Sequence, residues 1–142
     1  MAELPSGTVT FLFTDVEGST RLWEDHPDEM RVALERHDEL VRAAIDDQGG
    51  RVFSTAGDSF AAAFAEAQAA VSAATAIQRG LGDGRVSSEV EIRVRIGIHR
   101  GEAVVRDGDY FGSPVNRAAR LMSAAHGGQV VNRPGFHAGS WV

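Results

Sequence analysis

The feature that most constrains the fold is a short hairpin pattern that lies between two long helical patterns. Residues 51–56 (RVFSTA) and 59–64 (SFAAAF) read as short strands, and only Gly57-Asp58 separates them. A glycine beside an aspartate at this point is typical of a tight β-turn. Apolar residues recur at three- and four-residue spacing over residues 27–45 before the hairpin and over residues 67–81 after it, which predicts a helix on each side.

Further strand patterns complete the predicted fold. Residues 8–14 (TVTFLFT) are β-branched and aromatic, as in a buried strand, and residues 90–98 (VEIRVRIGI) alternate apolar and charged, as in a half-exposed one. The resulting order is β-α-β-β-α-β, the ferredoxin-like arrangement of an α+β fold. An extra strand-helix-strand is expected to follow: residues 102–106 returning antiparallel to the preceding strand, a helix over 115–125, and a strand over 129–131.

Composition fits one soluble domain. The chain has 142 residues, of which 43% are apolar and 24% charged, so we expect a single domain over 1–142. The net charge of -6 disfavours nucleic acid and anionic membranes as partners. The absence of cysteine excludes disulfides and thiolate metal sites. No secretory signal pattern or long apolar run occurs, which predicts a cytoplasmic location.

Two aspartates are expected to meet at one edge of the predicted sheet. In a ferredoxin-like fold the first and third strands are antiparallel neighbours. Asp15 closes the first strand pattern and Asp58 immediately precedes the third. Paired carboxylates suit hard divalent cations such as Mg²⁺ or Mn²⁺, and the Val16 carbonyl is a further candidate ligand. Two such ions can activate an attacking oxygen and neutralise a leaving phosphate. The alternative is that Asp15 is a structural helix cap.

Candidate phosphate-binding groups follow in two places. After Asp15, the turn Glu17, Gly18, Ser19 and Thr20 begins a helix, and its backbone amides would form an anion site. Farther along, the sequence DYFGSPVNRAAR places an asparagine and an arginine four residues apart on one face of a predicted helix. Arginine suits phosphate, and asparagine suits a sugar or ring oxygen.

Four segments, taken in order, resemble the catalytic domain of class III adenylate/guanylate cyclases, in a short form like those of actinobacteria. They are FTDVEGSTRLW, AGDSF, VRIGIHRGE and DYFGSPVNRAARL. The resemblance extends from about residue 8 to residue 131. It implies an enzyme of cyclic-nucleotide signalling that makes 3′,5′-cyclic AMP and pyrophosphate from ATP by in-line attack of the ribose 3′-hydroxyl on the α-phosphorus, with two Mg²⁺ or Mn²⁺ ions in each site.

The resemblance also implies residue roles. Asp15 and Asp58 fall on the metal-binding aspartates, and the turn after Asp15 falls on the triphosphate loop. Asp109 falls on the acid that reads the adenine amino group. Asn116 and Arg120 fall on the pair that stabilises the transition state. Family sites form between two head-to-tail domains, and because this chain carries both sets of residues, a symmetric homodimer is expected.

Two departures from the family pattern leave an alternative open. Ser54 stands where the family usually has a base-recognising lysine; a preference for ATP over GTP is still expected, because Asp109 accepts an amino group. Residues 132–142 (NRPGFHAGSWV) lack the further helix and strands of the family, which predicts a domain shortened at its C-terminus. These two features favour a degenerate cyclase-like domain that binds nucleotide or a partner cyclase without turnover, whereas the presence of Asp15, Asp58, Asp109, Asn116 and Arg120 favours the enzyme.

Two other interpretations follow from the sequence. A diguanylate cyclase shares the core, but AGDSF lacks the paired acids of that family's hairpin. The alternation of residues 90–98 predicts that Arg93 and Arg95 are solvated, and Arg117 is interpreted as a solvated helix charge.

Overall fold

The chain folds into a six-stranded sheet with helices on both faces. The computed structural model describes residues 4–82 and 90–132. Of the atypical tail predicted over 132–142, Asn132 ends a strand and the other residues lie outside the described ones. The elements in order are β1 (Gly7–Val16), α1 (Ser19–Asp25), α2 (Pro27–Asp47), β2 (Arg51–Ala56), β3 (Ser59–Phe64), α3 (Ala67–Gly82), β4 (Val94–Arg106), β5 (Asp109–Phe111), α4 (Ser113–Ala124) and β6 (Val130–Asn132). The α+β prediction is confirmed, and a strand, a helix and a strand follow the core, although the first of them lies at Asp109–Phe111 and not at the predicted residues 102–106.

The sheet has the predicted ferredoxin-like topology at its centre. Its order is β2-β3-β1-β4-β5, and β6 runs parallel to β4. Strand β1 is antiparallel to both of its neighbours, with Thr14 opposite Phe60 of β3 and Asp15 opposite Arg95 of β4. The end of β1 therefore lies between the start of β3 and the start of β4.

Two hydrophobic clusters fix the helices to the sheet. On one face, strand residues such as Leu12 and Ile96 pack with Ile45 of α2 and Ile77 of α3, all of them buried. On the other face, Phe11 belongs to a smaller cluster that includes residues of β5 and α4. Burial of side chains of this size supplies the main stabilisation, about 1.5–3 kcal/mol for each large one.

Helix α4 lies close to β4 because of one glycine. A Cβ added at Gly97 would overlap the backbone of Ala118 and Met122. Glycine therefore allows the backbone of α4 to approach the strand more closely than any other residue would. This contact positions the helix that carries Asn116 and Arg120.

The predicted reversal before residues 102–106 is wrong. Strand β4 continues without a turn from Val94 to Arg106, and the chain reverses at Asp107-Gly108, where φ is 52° and 76°. Positive φ at both central residues is the signature of the type I′ hairpin turn, and Asp-Gly favours it. Gly101, which resembles a turn residue in the sequence, instead accommodates Pro114: an added Cβ would lie 2.6 Å from its Cγ.

No helix within residues 4–82 and 90–132 is long and apolar enough to cross a membrane.

Candidate active site

Asp15 and Asp58 lie on adjacent strand ends, as the topology predicts. Asp15 is the penultimate residue of β1, and Asp58 occupies the turn between β2 and β3. The backbone N–H of Val16 donates to Oδ1 of Asp58 over 3.3 Å. This bond joins the hairpin turn to the end of β1, so the two carboxylates share one edge of the sheet. Their role in metal binding remains a prediction.

Arg95 forms an ion pair with Asp15. Its Nε lies 2.7 Å from Asp15 Oδ1, and its Nη2 contacts Oδ2, so the guanidinium engages both carboxylate oxygens. The side chains are only 28% and 14% exposed. The prediction that Arg95 is solvated is wrong, because the register of β1 and β4 places this residue opposite the aspartate. Arg93, by contrast, is 60% exposed, and among the described residues its ion-pair partner is the exposed Glu91.

The charge around Arg95 is predominantly negative. The hydrogen bond to Asp15 raises the pKa of Arg95, and the negative charges of Asp15, Glu17 and Asp58 add to this against the opposing effect of desolvation. The guanidinium is therefore the compensating cation of a small acidic cluster. The alternation of apolar and charged residues in the sequence could not predict this role. It indicates which face of the sheet a side chain occupies, but not which residue lies opposite it on the neighbouring strand.

Part of the turn after β1 is already hydrogen-bonded within the protein. The N–H of Glu17 donates to the carbonyl of Arg93 over 2.8 Å, and a side-chain oxygen of Glu17 accepts from the N–H of Gly127 over 2.6 Å. Gly18 adopts a left-handed conformation, with φ 66°, immediately before α1 begins. The predicted anion site therefore depends on the amides of Gly18, Ser19 and Thr20.

The predicted base-reading residues lie on the two outer strands of the order β2-β3-β1-β4-β5. Ser54 is exposed on β2, and Asp109 is exposed at the start of β5. Their sequence neighbours nevertheless touch: the ring centroids of Phe53 and Tyr110 are 4.8 Å apart in an edge-to-face arrangement. Strands β3, β1 and β4 lie between β2 and β5 in the strand order, so the two rings meet over one face of the sheet, where both belong to the smaller hydrophobic cluster.

Asn116 and Arg120 are both exposed on α4. Arg120 lines a shallow pocket with Arg117, His99 and Leu121. Within residues 4–82 and 90–132, no carboxylate forms an ion pair with Arg120. The structure thus brings the aspartates together and the neighbours of Ser54 and Asp109 together, but it does not join the Asn116 and Arg120 pair to either group.

The donor set at the strand ends fits a divalent cation only with additional oxygen ligands. The described part of the chain has no cluster of three or more histidine, cysteine or acidic side chains that could hold a metal ion alone. Two carboxylates, a backbone carbonyl and oxygens supplied by a bound phosphate are a normal ligand set for Mg²⁺. The cation would compete with Arg95 for Asp15.

Comparison with known proteins identifies the relatives of this chain. The family model described as the adenylate and guanylate cyclase catalytic domain matches residues 1–133. An uncharacterized protein of Mycobacterium tuberculosis is 46% identical over 129 residues, covering 89% of this chain and 43% of that protein. An adenylate cyclase of Podospora anserina is 34% identical over 151 residues, covering 89% of this chain and 7% of that protein. The chain therefore spans less than half the length of these relatives.

Solved structures agree. A monomeric adenylate cyclase domain from Trypanosoma brucei superposes with a TM-score of 0.78 at 32% identity, covering 92% of this chain and 75% of that chain. An adenylate/guanylate cyclase/hydrolase from Silicibacter pomeroyi gives a TM-score of 0.74 at 34% identity, covering 88% of this chain and 74% of that chain.

Proposed function

Because this chain belongs to the adenylate and guanylate cyclase catalytic domain family, we propose that it is an adenylate cyclase of cyclic-nucleotide signalling. The ribose 3′-oxygen of ATP forms a bond to the α-phosphorus, the bond from that phosphorus to the bridging oxygen breaks, and pyrophosphate leaves while the hydroxyl proton passes to solvent. The observation that carries the proposal is the placement of Asp15, Asp58 and Arg95 at one edge of the sheet. The cytoplasmic location predicted from the sequence is part of this proposal.

Asp15 and Asp58 are the residues that would hold Mg²⁺ or Mn²⁺, two ions per site, together with the Val16 carbonyl. Their chemistry fits, because all three supply hard oxygen atoms at adjacent strand ends. When bound, the ions supply charge that lowers the pKa of a hydroxyl and neutralises a leaving phosphate.

Arg95 and the turn after β1 serve the phosphates. A guanidinium has five N–H donors, so Arg95 can bond a phosphate oxygen besides Asp15. The amides of residues 18–20 lie where α1 begins, next to the end of β1, and hold the triphosphate. Positioning of this kind lowers the barrier to in-line attack by fixing the reacting atoms in place.

Asp109 and Ser54 select the base. One carboxylate oxygen of Asp109 already accepts the N–H of Tyr110 over 2.8 Å, which leaves the other to accept the amino group of adenine. Guanine would present a 6-oxo oxygen to the same carboxylate, and two acceptors repel. Ser54 can donate to adenine N1. ATP is therefore preferred over GTP, and the preference is weaker than a lysine at position 54 would give.

A head-to-tail homodimer completes the site, since Asn116 and Arg120 of one copy would act on nucleotide held by the aspartates of the other. Both are exposed and are not bonded to Asp15 or Asp58 in the described part of the chain. The β4–β5 hairpin exposes Val104 by 60% and Phe111 by 52%, which supplies the apolar surface that the core of an interface requires.

A second function is favoured by a specific observation. The Asp15–Arg95 ion pair occupies the carboxylate that would bind the cation, and Ser54 removes a charged base contact. A degenerate domain that binds nucleotide or a partner cyclase without turnover would retain both features.

One assay decides between them. The purified chain is incubated with ATP or GTP and Mn²⁺, and cyclic nucleotide is quantified by mass spectrometry beside an Asp15→Ala variant. Cyclic AMP that disappears in the variant supports the cyclase. Nucleotide binding without product supports the degenerate domain, and predominant cyclic GMP would contradict the assigned base preference.

A further inference from the structure

Tyr110 lies at the centre of the smaller hydrophobic cluster. It is the single tyrosine of the sequence and is only 4% exposed. Its ring packs edge-to-face against Phe11, at a centroid distance of 4.9 Å, and against Phe53, at 4.8 Å. One side chain of β5 thus contacts both the central strand β1 and the opposite edge strand β2.

The hydroxyl of Tyr110 binds the segment that precedes β1. It donates to the carbonyl of Pro5 over 2.5 Å, and Leu4 packs against the same cluster. Burial raises the pKa of Tyr110 to about 12, so the phenol stays protonated and remains a donor at neutral pH. We refer to the hydrogen bond of Tyr110 to Pro5, together with the packing of Leu4 on the same cluster, as the N-terminal latch.

The strand that carries Asp109 is short. Strand β5 has three residues and pairs with β4 through three residue pairs. Asp109 begins the strand, is exposed, and accepts the N–H of Tyr110. The position of the carboxylate therefore follows the position of the tyrosine.

The same ring controls the other side of the predicted base site. Phe53 lies at the irregularity in the pairing of β2 with β3, between Val52 and Ser54. A bulge of this kind leaves the backbone less constrained than a regular ladder. Contact of Phe53 with Tyr110 therefore fixes the distance between Ser54 and Asp109.

We infer that Tyr110 is a positioning residue for base recognition, and that the N-terminal latch holds it in place. The inference rests on the proposed function, because it concerns the residues assigned there to the base. It adds a route of regulation: any displacement of the segment before β1 releases the tyrosine and changes the affinity for the base, while the phosphate half of the site is untouched.

The test uses Tyr110→Phe, which keeps the ring and removes the hydroxyl. Loss of one hydrogen bond corresponds to about a threefold to tenfold rise in the KM for ATP, with kcat changed by less than about twofold. Inhibition by pyrophosphate should be unchanged, because pyrophosphate has no base. Val71→Ala is the matched control: Val71 is buried on the other face of the sheet, and its variant should lose stability with the KM unaltered.

Deletion of residues 1–5 should reproduce the effect of Tyr110→Phe, and the two changes together should not add, since both break the same bond. A KM equal to that of the original chain, or a fall in kcat alone, would overturn the inference. So would a parallel rise in the inhibition constant for pyrophosphate, because it would indicate general loosening of the site.

A spectroscopic readout separates this inference from the proposed function. Protein labelled with ¹³C only in tyrosine gives the signals of Tyr110 alone, and deletion of residues 1–5 should shift its ζ-carbon resonance. An unmoved resonance refutes the latch whether or not the protein makes cyclic nucleotide. A moved resonance in a protein that makes no product refutes the proposed function and leaves the latch standing.

Discussion

Removal of Arg95 tests the electrostatic core of the candidate site. Asp15 is only 14% exposed while it is paired with Arg95, and Arg95→Ala would remove the cation that the negative charges of Asp15, Glu17 and Asp58 act on. Loss of a charge-assisted, partly buried pair of hydrogen bonds costs about 1.5–3 kcal/mol. Arg93→Ala is the matched control, because the same residue type two positions earlier pairs only at the exposed surface, where an ion pair is worth about 0–1 kcal/mol.

The measurement is urea unfolding of both variants, with and without Mn²⁺. Arg95→Ala should unfold at lower urea, and Mn²⁺ should restore more stability to it than to the original chain, since the cation replaces the missing positive charge beside Asp15. Equal stability losses in the two variants would show that the pair is no stronger than a surface contact. A Mn²⁺ effect that is the same with and without Arg95 would refute the idea that guanidinium and metal share the carboxylate.

Three further outcomes are expected. The free energy of unfolding should fall as the pH rises above about 10. The pKa of Tyr110 is about 12 in the fold, so the phenol of the unfolded chain loses its proton first. Unfolding measured at stepped pH should show a weaker dependence of stability on pH in Tyr110→Phe. Gly97→Ala should destabilise the protein by about 1–3 kcal/mol and reduce cyclase activity, because the added Cβ displaces α4; thermal unfolding with an activity assay checks both, and an unchanged melting temperature would contradict the close packing. Asp15→Ala and Arg120→Ala should each be inactive, but their mixture should recover about a quarter of the activity, since half the dimers are mixed and each has one intact site; no recovery after co-expression would argue against a shared site.

The elements that could be predicted from the sequence are those specified locally. Helix α2 begins at Pro27 as predicted, and the β2–β3 hairpin turns at Gly57-Asp58. The end of β4 could not be predicted in this way, because Gly101 resembles a turn residue. Its real function is to accept Pro114 from a helix that follows in the chain, and that is a tertiary contact.

In the candidate site too, some features could be predicted from the sequence, and others depend on tertiary contacts. Topology was sufficient to bring Asp15 and Asp58 to neighbouring strand ends, because antiparallel neighbours place one strand's end beside the other's start. The pairing of Arg95 with Asp15 depends on the β1–β4 register between residues 80 positions apart in the sequence. The Phe53–Tyr110 contact depends on how the two outer strands β2 and β5 meet over one face of the sheet, which no local pattern encodes.

The Asp15–Arg95 ion pair also gives a reason for metal and nucleotide to bind together. Under the proposed function, Asp15 is needed by the cation and Arg95 by a phosphate, yet each now satisfies the other. A phosphate that engages Arg95 weakens its hold on the carboxylate, and a cation at Asp15 frees the guanidinium. Binding of either ligand therefore lowers the free energy that the other needs to separate Asp15 from Arg95. Thermodynamic linkage requires this effect to be equal in both directions. Under the proposed function, Arg95 neutralises the Asp15 carboxylate before the ligands bind, and the cation would do so afterwards.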